Sequence, residues 1–196
     1  MSENIQIIEK PDWVSWEAVK ECIVSAHAVN REKGISMSHS QWTTEKMEAS
    51  LGEQGKMFVA LDGQQVVGTA AVSVKEREAW YVHGKYAFMG FAGVLPTYNG
   101  KGIYRELIRR REEYARELGI KVLLLDTHED NKRVQEIALK NNYRYVSYFQ
   151  ANGDHFNVVM AKWPDGCPFS SLYCSYQYHI RKYKVLLWSF LHKRNG

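Results

Sequence analysis

The chain has 196 residues and a formal net charge of +4 at pH 7, with a pI near 8.8. This charge is too weakly basic to indicate nucleic-acid binding by itself. Hydrophobic residues make up 45% of the sequence, which excludes wholesale disorder and is enough for one core. No segment approaches the roughly 20 apolar residues of a membrane span, and residues 1–12 lack the apolar core of a signal peptide. We therefore expect one cytoplasmic domain with some extra structure.

The three cysteines are Cys22, Cys167 and Cys174, an odd and sparse set that does not form a disulfide framework. Cys167 and Cys174 lack the spacing of zinc ligands, and only His179 lies near them in sequence. We expect structural thiols and no bound metal.

The first third of the chain predicts one strand and two helices. Ile5–Ile8 is a short apolar run typical of an opening strand. Apolar residues then recur at helical spacing over Trp13–Lys33, and Gly34 is placed to end that helix. A second helix is predicted over Thr44–Leu51.

Strands follow in the middle of the chain. Met57–Leu61 and Gln65–Val74 are predicted to form a hairpin, because Asp62-Gly63 between them is a strong turn signal. Tyr86–Leu95 is the next strand, and Pro96 ends it.

The remaining elements alternate between helix and strand. The pattern predicts, in order, helix Lys101–Leu118 capped by Gly119, a buried strand Val122–Leu125, helix Asn131–Lys140, and strands Tyr143–Phe149 and Phe156–Lys162. This order predicts an α/β protein with a sheet of mixed direction rather than a doubly wound array.

Gly100-Lys101-Gly102 lies where a strand ends and a helix begins. Helix N-termini bind anions, and glycines allow the backbone to approach them closely. Lys101, Arg105 and Arg109 add positive charge to the same region. A Walker loop would require Ser or Thr after the lysine, and a dinucleotide fingerprint would require a third glycine at Arg105. A turn that merely begins a helix is the remaining alternative to an anion site.

The wider context resembles the GNAT superfamily of N-acetyltransferases over about residues 3–163. Val94-x-Pro96 followed by Gly100-x-Gly102-Ile103-Tyr104 is similar to its acyl-CoA-binding motif, with Thr97 where the family has Arg or Gln. Asn131-Lys132-Arg133 looks like the family's Asn-x-Arg opening of the next helix, and Asn142-Tyr143 stands where Gly-Phe is usual.

The resemblance implies a splayed central sheet flanked by helices, with acetyl-CoA as cosubstrate. The pantetheine arm would pair with strand backbone at the splay. The cofactor-binding residues it implies are Phe91, Ala92, Val94, Asn99, Gly100, Lys101, Gly102, Ile103, Tyr104, Arg105 and Asn131.

The resemblance further implies direct attack of a primary amine on the thioester, which requires alignment, a proton acceptor and oxyanion stabilisation. The tyrosine that often protonates the departing thiolate in this family is replaced by Ala138. Tyrosines that could substitute, each also explicable by packing, are Tyr104, Tyr143, Tyr145 and Tyr148.

The general base is sought among carboxylates and histidines. Tyr86–Leu95 contains no carboxylate, whereas Asp126–Asp130 follows the next strand. Within that cluster we predict His128 and Glu129 as catalytic residues, since imidazole titrates near neutrality and Glu129 can bind a cationic amine. A solvated acidic loop that caps the next helix is the alternative. His83 and His155 are expected to be ordinary histidines.

Pro164-Asp165-Gly166 separates the predicted acyltransferase domain, residues 1–163, from a C-terminal extension, residues 164–196. The extension has an apolar helical face with basic residues around it. The predicted face comprises Tyr176, Ile180, Tyr183, Leu187 and Phe190, and the basic residues are Arg181, Lys182, Lys184, Lys193 and Arg194. Packing on its own domain or on a second subunit in a homodimer is expected. A helix on a membrane surface is the alternative.

The sequence therefore predicts an N-acetyltransferase that acts on a primary amine of unknown identity. A non-catalytic acyl-CoA-binding sensor is the alternative, because the thiolate acid and the strand carboxylate are both missing.

Overall fold

The computed structural model describes residues 5–35, 41–151 and 155–193, with side chains as far as residue 191. The described part contains seven strands, six α-helices and a short 3-10 turn at Pro96–Tyr98. The strands are β1 Ile5–Glu9, β2 Lys56–Asp62, β3 Gln65–Ala79, β4 Val82–Val94, β5 Leu123–His128, β6 Arg144–Gln150 and β7 Phe156–Lys162. The helices are α1 Trp16–Ala26, α2 Ala28–Glu32, α3 Thr44–Ala49, α4 Ile103–Glu117, α5 Lys132–Lys140 and α6 Ser171–Lys193.

The seven strands form one sheet in the order β1-β2-β3-β4-β5-β7-β6. All neighbouring strands are antiparallel except β4 and β5, which are parallel. The predicted α/β fold with a mixed sheet, flanking helices and a C-terminal helix is confirmed.

Helices cover both faces of the sheet. On the front face, α1 and α3 pack on alternate residues of β2 and β3, such as Val59 and Ala71. On the back face, α4, α5 and α6 share a core with the intervening residues, such as Ala60 and Val72. This alternation follows from the two-residue period of a strand and sets which face each site residue lies on.

One helix was predicted over Trp13–Lys33, but the structure divides it into α1 and α2 at His27, whose backbone is not helical (φ −106°, ψ 12°). The His27 ring makes a hydrogen bond to the Ala92 carbonyl of β4. This long-range contact accompanies the break, and helical periodicity cannot report it. Gly34 follows α2 with a φ of 73°, as expected for a residue that ends a helix.

The hairpin of β3 and β4 extends beyond its predicted bounds. Pairing continues to Ala79 and Val82, so β3 has 15 residues and β4 has 13. The added part of β3 includes exposed charged residues from Glu76 to Glu78. A search for buried alternation misses such a solvent-facing segment.

The apolar face predicted for the C-terminal helix points away from the core. Tyr176, Tyr183, Leu187 and Phe190 are exposed, and Ile180 is only partly buried. A different face of α6 packs on the back of the sheet through buried Cys174, Tyr178 and Ser189, with Val185 partly buried. The prediction that this face packs against its own domain is therefore wrong. Of the predicted basic residues, Arg194 and the side chain of Lys193 lie outside the described part of the chain.

A β-bulge interrupts the pairing of β3 with β4. Thr69 pairs with Gly93 and Ala71 pairs with Gly90, so β4 has one more residue than β3 between these two pairs. Phe91, within the bulge, has a φ of 48°, which is rare for a residue with a side chain. The fully buried Thr69 hydroxyl donates a 2.8 Å hydrogen bond to the Phe91 carbonyl and so fastens the bulge to β3.

We predict that Thr69→Val lowers the free energy of unfolding by about 1 kcal/mol, because it removes this buried hydrogen bond while preserving volume. Urea denaturation followed by circular dichroism measures the change. Thr69→Ser keeps the hydroxyl and should lose less than Thr69→Val. Equal losses in the two variants would assign the effect to packing rather than to the bond.

Candidate functional site

The strands β4 and β5 separate immediately before the bulge. They pair only at Ala87 with Leu123 and at Phe88 with Leu124. Beyond these pairs the two strands diverge, so the backbone of β4 at the bulge has no partner strand on the β5 side. The structure therefore contains the splay that the resemblance implied.

Helix α1 holds the front of the bulge. Nε2 of His27 donates a 2.9 Å hydrogen bond to the Ala92 carbonyl, and Nδ1 accepts a 3.3 Å hydrogen bond from the Asn30 amide. These partners require the neutral tautomer with its proton on Nε2. Burial lowers the pKa of His27, which favours the same neutral form. At the next residue, a Cβ on Gly93 would lie 2.8 Å from the Ala26 Cβ, so only glycine allows this close contact.

Helix α4 places a buried cation behind the bulge. Arg111 is only 4% exposed, and its Nη1 lies 3.4 Å from the Gly90 carbonyl, to which it donates a long hydrogen bond. Its Nε has no hydrogen-bond partner among the described residues. A buried guanidinium with unused donor capacity is costly unless another group pairs with it.

A cavity of about 260 Å³ occupies the gap between the separated strands, and residues of both faces line it. Its back wall includes Tyr104, Arg111, Asn131 and Val134, whereas its front wall includes Trp42, Ser73, Lys75, Phe88 and Asp126. The bulge residues Gly90, Phe91 and Ala92 lie between the two walls. The cavity therefore brings side chains from the two faces of the sheet together beside the bulge.

Asp126 is the carboxylate of this cavity. It lies on β5 in the same register as Leu124 and therefore faces the front. Its Oδ2 accepts a 3.1 Å hydrogen bond from the Asn157 amide. Burial raises the pKa of Asp126, although the Asn157 hydrogen bond and the charge of Lys75 oppose that shift. A carboxylate with a raised pKa in a cavity is suited to accepting a proton.

The turn before α4 has the backbone expected of an anion site. Gly100 and Gly102 have φ values of 79° and 80°, a region that strongly favours glycine. Gly102 is the N-cap of α4, and among the residues that the structure describes no side chain caps the first N–H groups of that helix. By contrast, Ser15 caps α1 and Asn131 caps α5. The N–H groups at the start of α4 are thus left for an external acceptor.

Side chains from two other elements steady this turn. The Tyr98 hydroxyl donates a 2.8 Å hydrogen bond to the Asp62 carboxylate, and the Lys101 ammonium lies 4.4 Å from the centre of the Tyr98 ring. Nη2 of Arg133, in the first turn of α5, donates a 3.4 Å hydrogen bond to the Asn99 side chain. Arg133 thereby adds a positive charge beside the turn that the list of predicted cofactor residues lacks.

Arg109 was expected to add mobile charge to the turn, but its guanidinium is engaged elsewhere on α4. It forms ion pairs with Glu106 and Glu113 along the exposed surface of the helix. The Glu106 hydrogen bond raises the pKa of Arg109 further above its usual value. Arg105, in contrast, lies beside the turn, with Nη2 3.9 Å from where a Cβ on Gly102 would be.

The predicted cofactor residues fall into two groups along one path. Phe91, Ala92, Tyr104 and Asn131 line the cavity. The others form the end of β4, the turn and the first turn of α4: Val94, Asn99, Gly100, Lys101, Gly102, Ile103 and Arg105. Ile103 is buried and packs toward Gly68, so it can offer only its backbone to a ligand.

His128 and Glu129, the predicted catalytic pair, do not line this cavity. Nε2 of His128 contacts the His155 ring at 3.3 Å, and its Nδ1 accepts a hydrogen bond from the Asp130 amide. Their catalytic role stays a prediction.

The Glu129 side chain points away from the first cavity, toward β6 and α6. Its Oε2 accepts a 2.8 Å hydrogen bond from the Tyr148 hydroxyl and lies 3.3 Å from the Lys182 ammonium on α6. Glu129 lines a second cavity, of about 490 Å³, between α5, β6 and α6.

Of the four tyrosines considered as thiolate acids, only Tyr104 lines the first cavity. Burial raises the pKa of Tyr143, which is 4% exposed. The hydroxyls of Tyr145 and Tyr148 donate to Gln135 and Glu129.

Sequence reasoning missed Asp126 and Arg111 as site residues, although both left a signal. Asp126 directly follows a buried apolar run. Because successive side chains of a strand alternate between the two faces of the sheet, Asp126 lies on the same face as Leu124. Arg111 belongs to a row of buried residues that recur every four positions along α4, the others being Ile103, Leu107 and Ala115. A charged residue within a buried helical stripe indicates a special site.

The described residues contain no cluster of three or more His, Cys, Asp or Glu side chains that could hold a metal ion. No helix within the same ranges is long and apolar enough to cross a membrane.

Comparison with solved structures finds the same architecture in many acetyltransferases. An acetyltransferase from Streptococcus agalactiae matches with a TM-score of 0.64 and 18% identity, covering 82% of this chain and 99% of that one. The ribosomal-protein-S18-alanine N-acetyltransferase of Escherichia coli matches with a TM-score of 0.60 and 15% identity, covering 80% and 92%. A GNAT family acetyltransferase from Elizabethkingia anophelis with acetyl-CoA bound matches with a TM-score of 0.58 and 12% identity, covering 83% and 99%.

These low identities establish the fold alone. No protein of curated function matches the sequence significantly. The model of the acetyltransferase (GNAT) family, however, matches residues 19–143, which is more than half of the chain. With the separated strands and the glycine turn in the expected places, the chain belongs to the acetyltransferase (GNAT) family.

Proposed function

We propose that this protein transfers an acetyl group from acetyl-CoA to a primary amine by direct attack. One observation carries the proposal: the cavity between β4 and β5 joins a back wall suited to the acyl donor with a front wall that contains the Asp126 carboxylate. In this view residues 1–163 are the acyltransferase domain and residues 164–196 are an addition to it.

The residues around the back wall and the turn fit acetyl-CoA. The uncapped N–H groups of α4 would hold the pyrophosphate, with the charges of Lys101, Arg105 and Arg133 beside them. The unpaired edge of β4 at the bulge would bind the pantetheine amides as an added strand does. Thr97 removes one side-chain donor from this site but leaves its backbone unchanged.

Bound acetyl-CoA supplies an electrophilic thioester carbonyl, so the protein must orient the amine and remove its proton. Asp126 is suited to both tasks. As a carboxylate it pairs with the ammonium of the acceptor, and its raised pKa favours acceptance of the proton as the new N–C bond forms. The aromatic rings of Trp42 and Phe88 line the same wall and favour an acceptor with an apolar body.

Arg111 compensates for the missing thiolate acid in this proposal. Ala138 cannot donate a proton, so negative charge develops on the departing sulfur. A buried guanidinium with an unused Nε–H lowers the energy of that charge in a cavity with little water. A permanent cation can therefore replace a proton donor.

The acceptor class is consistent with one structural neighbour, the ribosomal-protein-S18-alanine N-acetyltransferase of Escherichia coli, whose acceptor is an amine. The proposal for this chain extends to amines in general. An acyl-CoA sensor without catalysis would need no raised-pKa carboxylate opposite the cofactor wall, which is why we favour the enzyme.

The role of Asp126 is tested by Asp126→Asn, which we predict to lower kcat/KM for amines by about 10²-fold or more through loss of the proton acceptor. The wild-type kcat/KM should fall as pH decreases through the raised pKa of Asp126, and this limb should be absent in the variant. Release of free thiol from acetyl-CoA across a panel of amines provides the measurement.

Glu129→Gln and His128→Gln are the matched comparisons and should each cost less than about tenfold, below the range for loss of a general base. The reverse ranking would return the catalytic role to His128 and Glu129. Thermal unfolding gives a second readout of the Asp126 pKa. Because folding raises that pKa, the native state binds the proton more tightly, so wild type should lose stability relative to Asp126→Asn as pH rises through this range.

The glycine turn is tested by Gly102→Ala, with Gly119→Ala as its control. Both glycines have left-handed φ values, 80° and 69°, at opposite ends of α4. Each substitution should therefore cost about 1–2 kcal/mol of stability. Only Gly102→Ala should weaken CoA binding, by about tenfold in calorimetry, since only that glycine shapes the anion site. Equal CoA affinity in the two variants would refute the assignment of the turn.

The role of Arg111 is tested with Arg111→Met and Arg111→Lys. We predict that the Met variant lowers kcat by about 10²–10³-fold with little change in the KM for acetyl-CoA, whereas Lys retains most of the activity. The Met defect should shrink with acetyl thioesters of more acidic thiols, because their thiolates need less stabilisation. A defect that is independent of the leaving group would indicate that Arg111 acts only by supporting the bulge.

A further inference from the structure

The outward face of α6 is a continuous apolar strip on the protein surface. Leu172 and Tyr183 are 84% and 68% exposed, and further apolar side chains are exposed between and beyond them. Their spacing in steps of three, four or seven residues keeps them on one side of the helix. We define the strip as Leu172, Tyr176, Ile180, Tyr183 and Leu187, with Leu186 and Leu191 at its edges. A patch of this length on a soluble domain indicates an interaction surface.

The charge of the surrounding segment has a single sign. Residues 166–196 contain no Asp or Glu and five basic residues, giving +5. The whole chain has a net charge of +4, so residues 1–165 sum to 4 − 5 = −1. The excess positive charge of this protein therefore lies entirely on the segment that contains α6. Lys184 and Arg181 are both exposed and follow one another on the same side of the strip, where they line a cavity with Arg77 and Glu78 of β3.

This charge pattern argues against a second copy of the chain as the occupant of the strip. Two α6 helices packed face to face would bring two basic segments together, with no acidic residue on either helix to offset their charge. Like charges beside a helix–helix contact destabilise it. A partner with an apolar interior and an anionic boundary complements both the apolar strip and the basic residues around it.

We propose that α6 binds the surface of a membrane that contains anionic lipid. The strip would insert at the boundary of headgroups and acyl chains, Tyr176 and Tyr183 would keep their hydroxyls at headgroup level, and the flanking cations would pair with lipid phosphates. The opposite face of α6 stays packed on β6 and the back core through Cys174 and Tyr178. The helix thus lies along the membrane surface while the domain remains folded above it.

Co-sedimentation of the full chain with lipid vesicles tests the proposal, and it requires no acetyl transfer. Vesicles of phosphatidylcholine alone are compared with vesicles of equal parts phosphatidylcholine and phosphatidylglycerol. We expect binding to the anionic vesicles, little binding to the neutral ones, and weaker binding as salt is added, because the attraction of surface charges is screened.

Two pairs of variants separate the contributions of the strip and of its charge. Tyr183→Ser with Leu187→Ser should lower the partition coefficient on anionic vesicles at least about tenfold, whereas Trp13→Ser, at a residue 61% exposed elsewhere, should not. Arg181→Glu with Lys184→Glu should cause a comparable loss of the partition coefficient. The control pair is Lys33→Glu, at an exposed site after α2, with Lys140→Glu, at an exposed site on α5, and it should lower the partition coefficient far less. Circular dichroism confirms that each variant is folded.

Three results would overturn the proposal. They are an absence of binding to anionic vesicles, equal binding to neutral vesicles, and equal losses in the strip variants and their controls. Analytical ultracentrifugation gives the competing outcome: a wild-type dimer that Tyr183→Ser with Leu187→Ser converts to monomer, without vesicle binding, would assign the strip to a second copy of the chain.

Discussion

The separation of β4 from β5 is the constraint on which the site depends. Two parallel strands in the middle of a sheet ordinarily pair along their length, since unpaired backbone groups in a protein interior are costly. Here the pairing stops after Phe88, and the bulge at Phe91 turns the end of β4 away. Each carbonyl of the bulge is held by a side chain from a different element: Thr69 of β3, Arg111 of α4, and His27 beside α1. The gap is thereby built into the fold rather than left by poor packing.

The gap also accounts for the charges around it. A carboxylate and a guanidinium within one cavity would stabilise each other as a direct ion pair, but Asp126 lies on the front wall and Arg111 on the back wall. Asp126 keeps a raised pKa, and Arg111 keeps an unused donor. Both conditions cost stability, and both are useful if an amine and a departing thiolate meet between them. We therefore see the two residues as complementary halves of the proposed chemistry.

The parts of the fold that follow local rules could be predicted from the sequence. Gly100 and Gly102 are required by backbone conformation at a strand-to-helix turn, and α5 begins where Asn131 caps it. The break at His27 could not be predicted, because its partner on β4 is 65 residues away in sequence. Glu129 was attractive for its chemistry, yet Tyr148 of β6 and Lys182 of α6 hold its carboxylate on the far side of the site from Asp126. Chemistry and sequence position alone do not tell which face of a sheet a loop residue reaches.

The extension shows the same limit in another form. Three–four spacing correctly predicted a helix with an apolar face at Tyr176 to Phe190, but α6 has a second, less regular face through Cys174 and Tyr178 that packs on the core. Periodicity finds the more regular strip without telling whether it faces inward.

The central claim, that the gap between β4 and β5 together with the glycine turn forms the acetyl-CoA site, is tested most directly by a crystal structure with a non-hydrolysable acetyl-CoA analogue. We expect pyrophosphate density against the Gly100–Gly102 turn and pantetheine density along β4 beyond Phe88. Density for the analogue at any other place, with this gap empty, would contradict the claim.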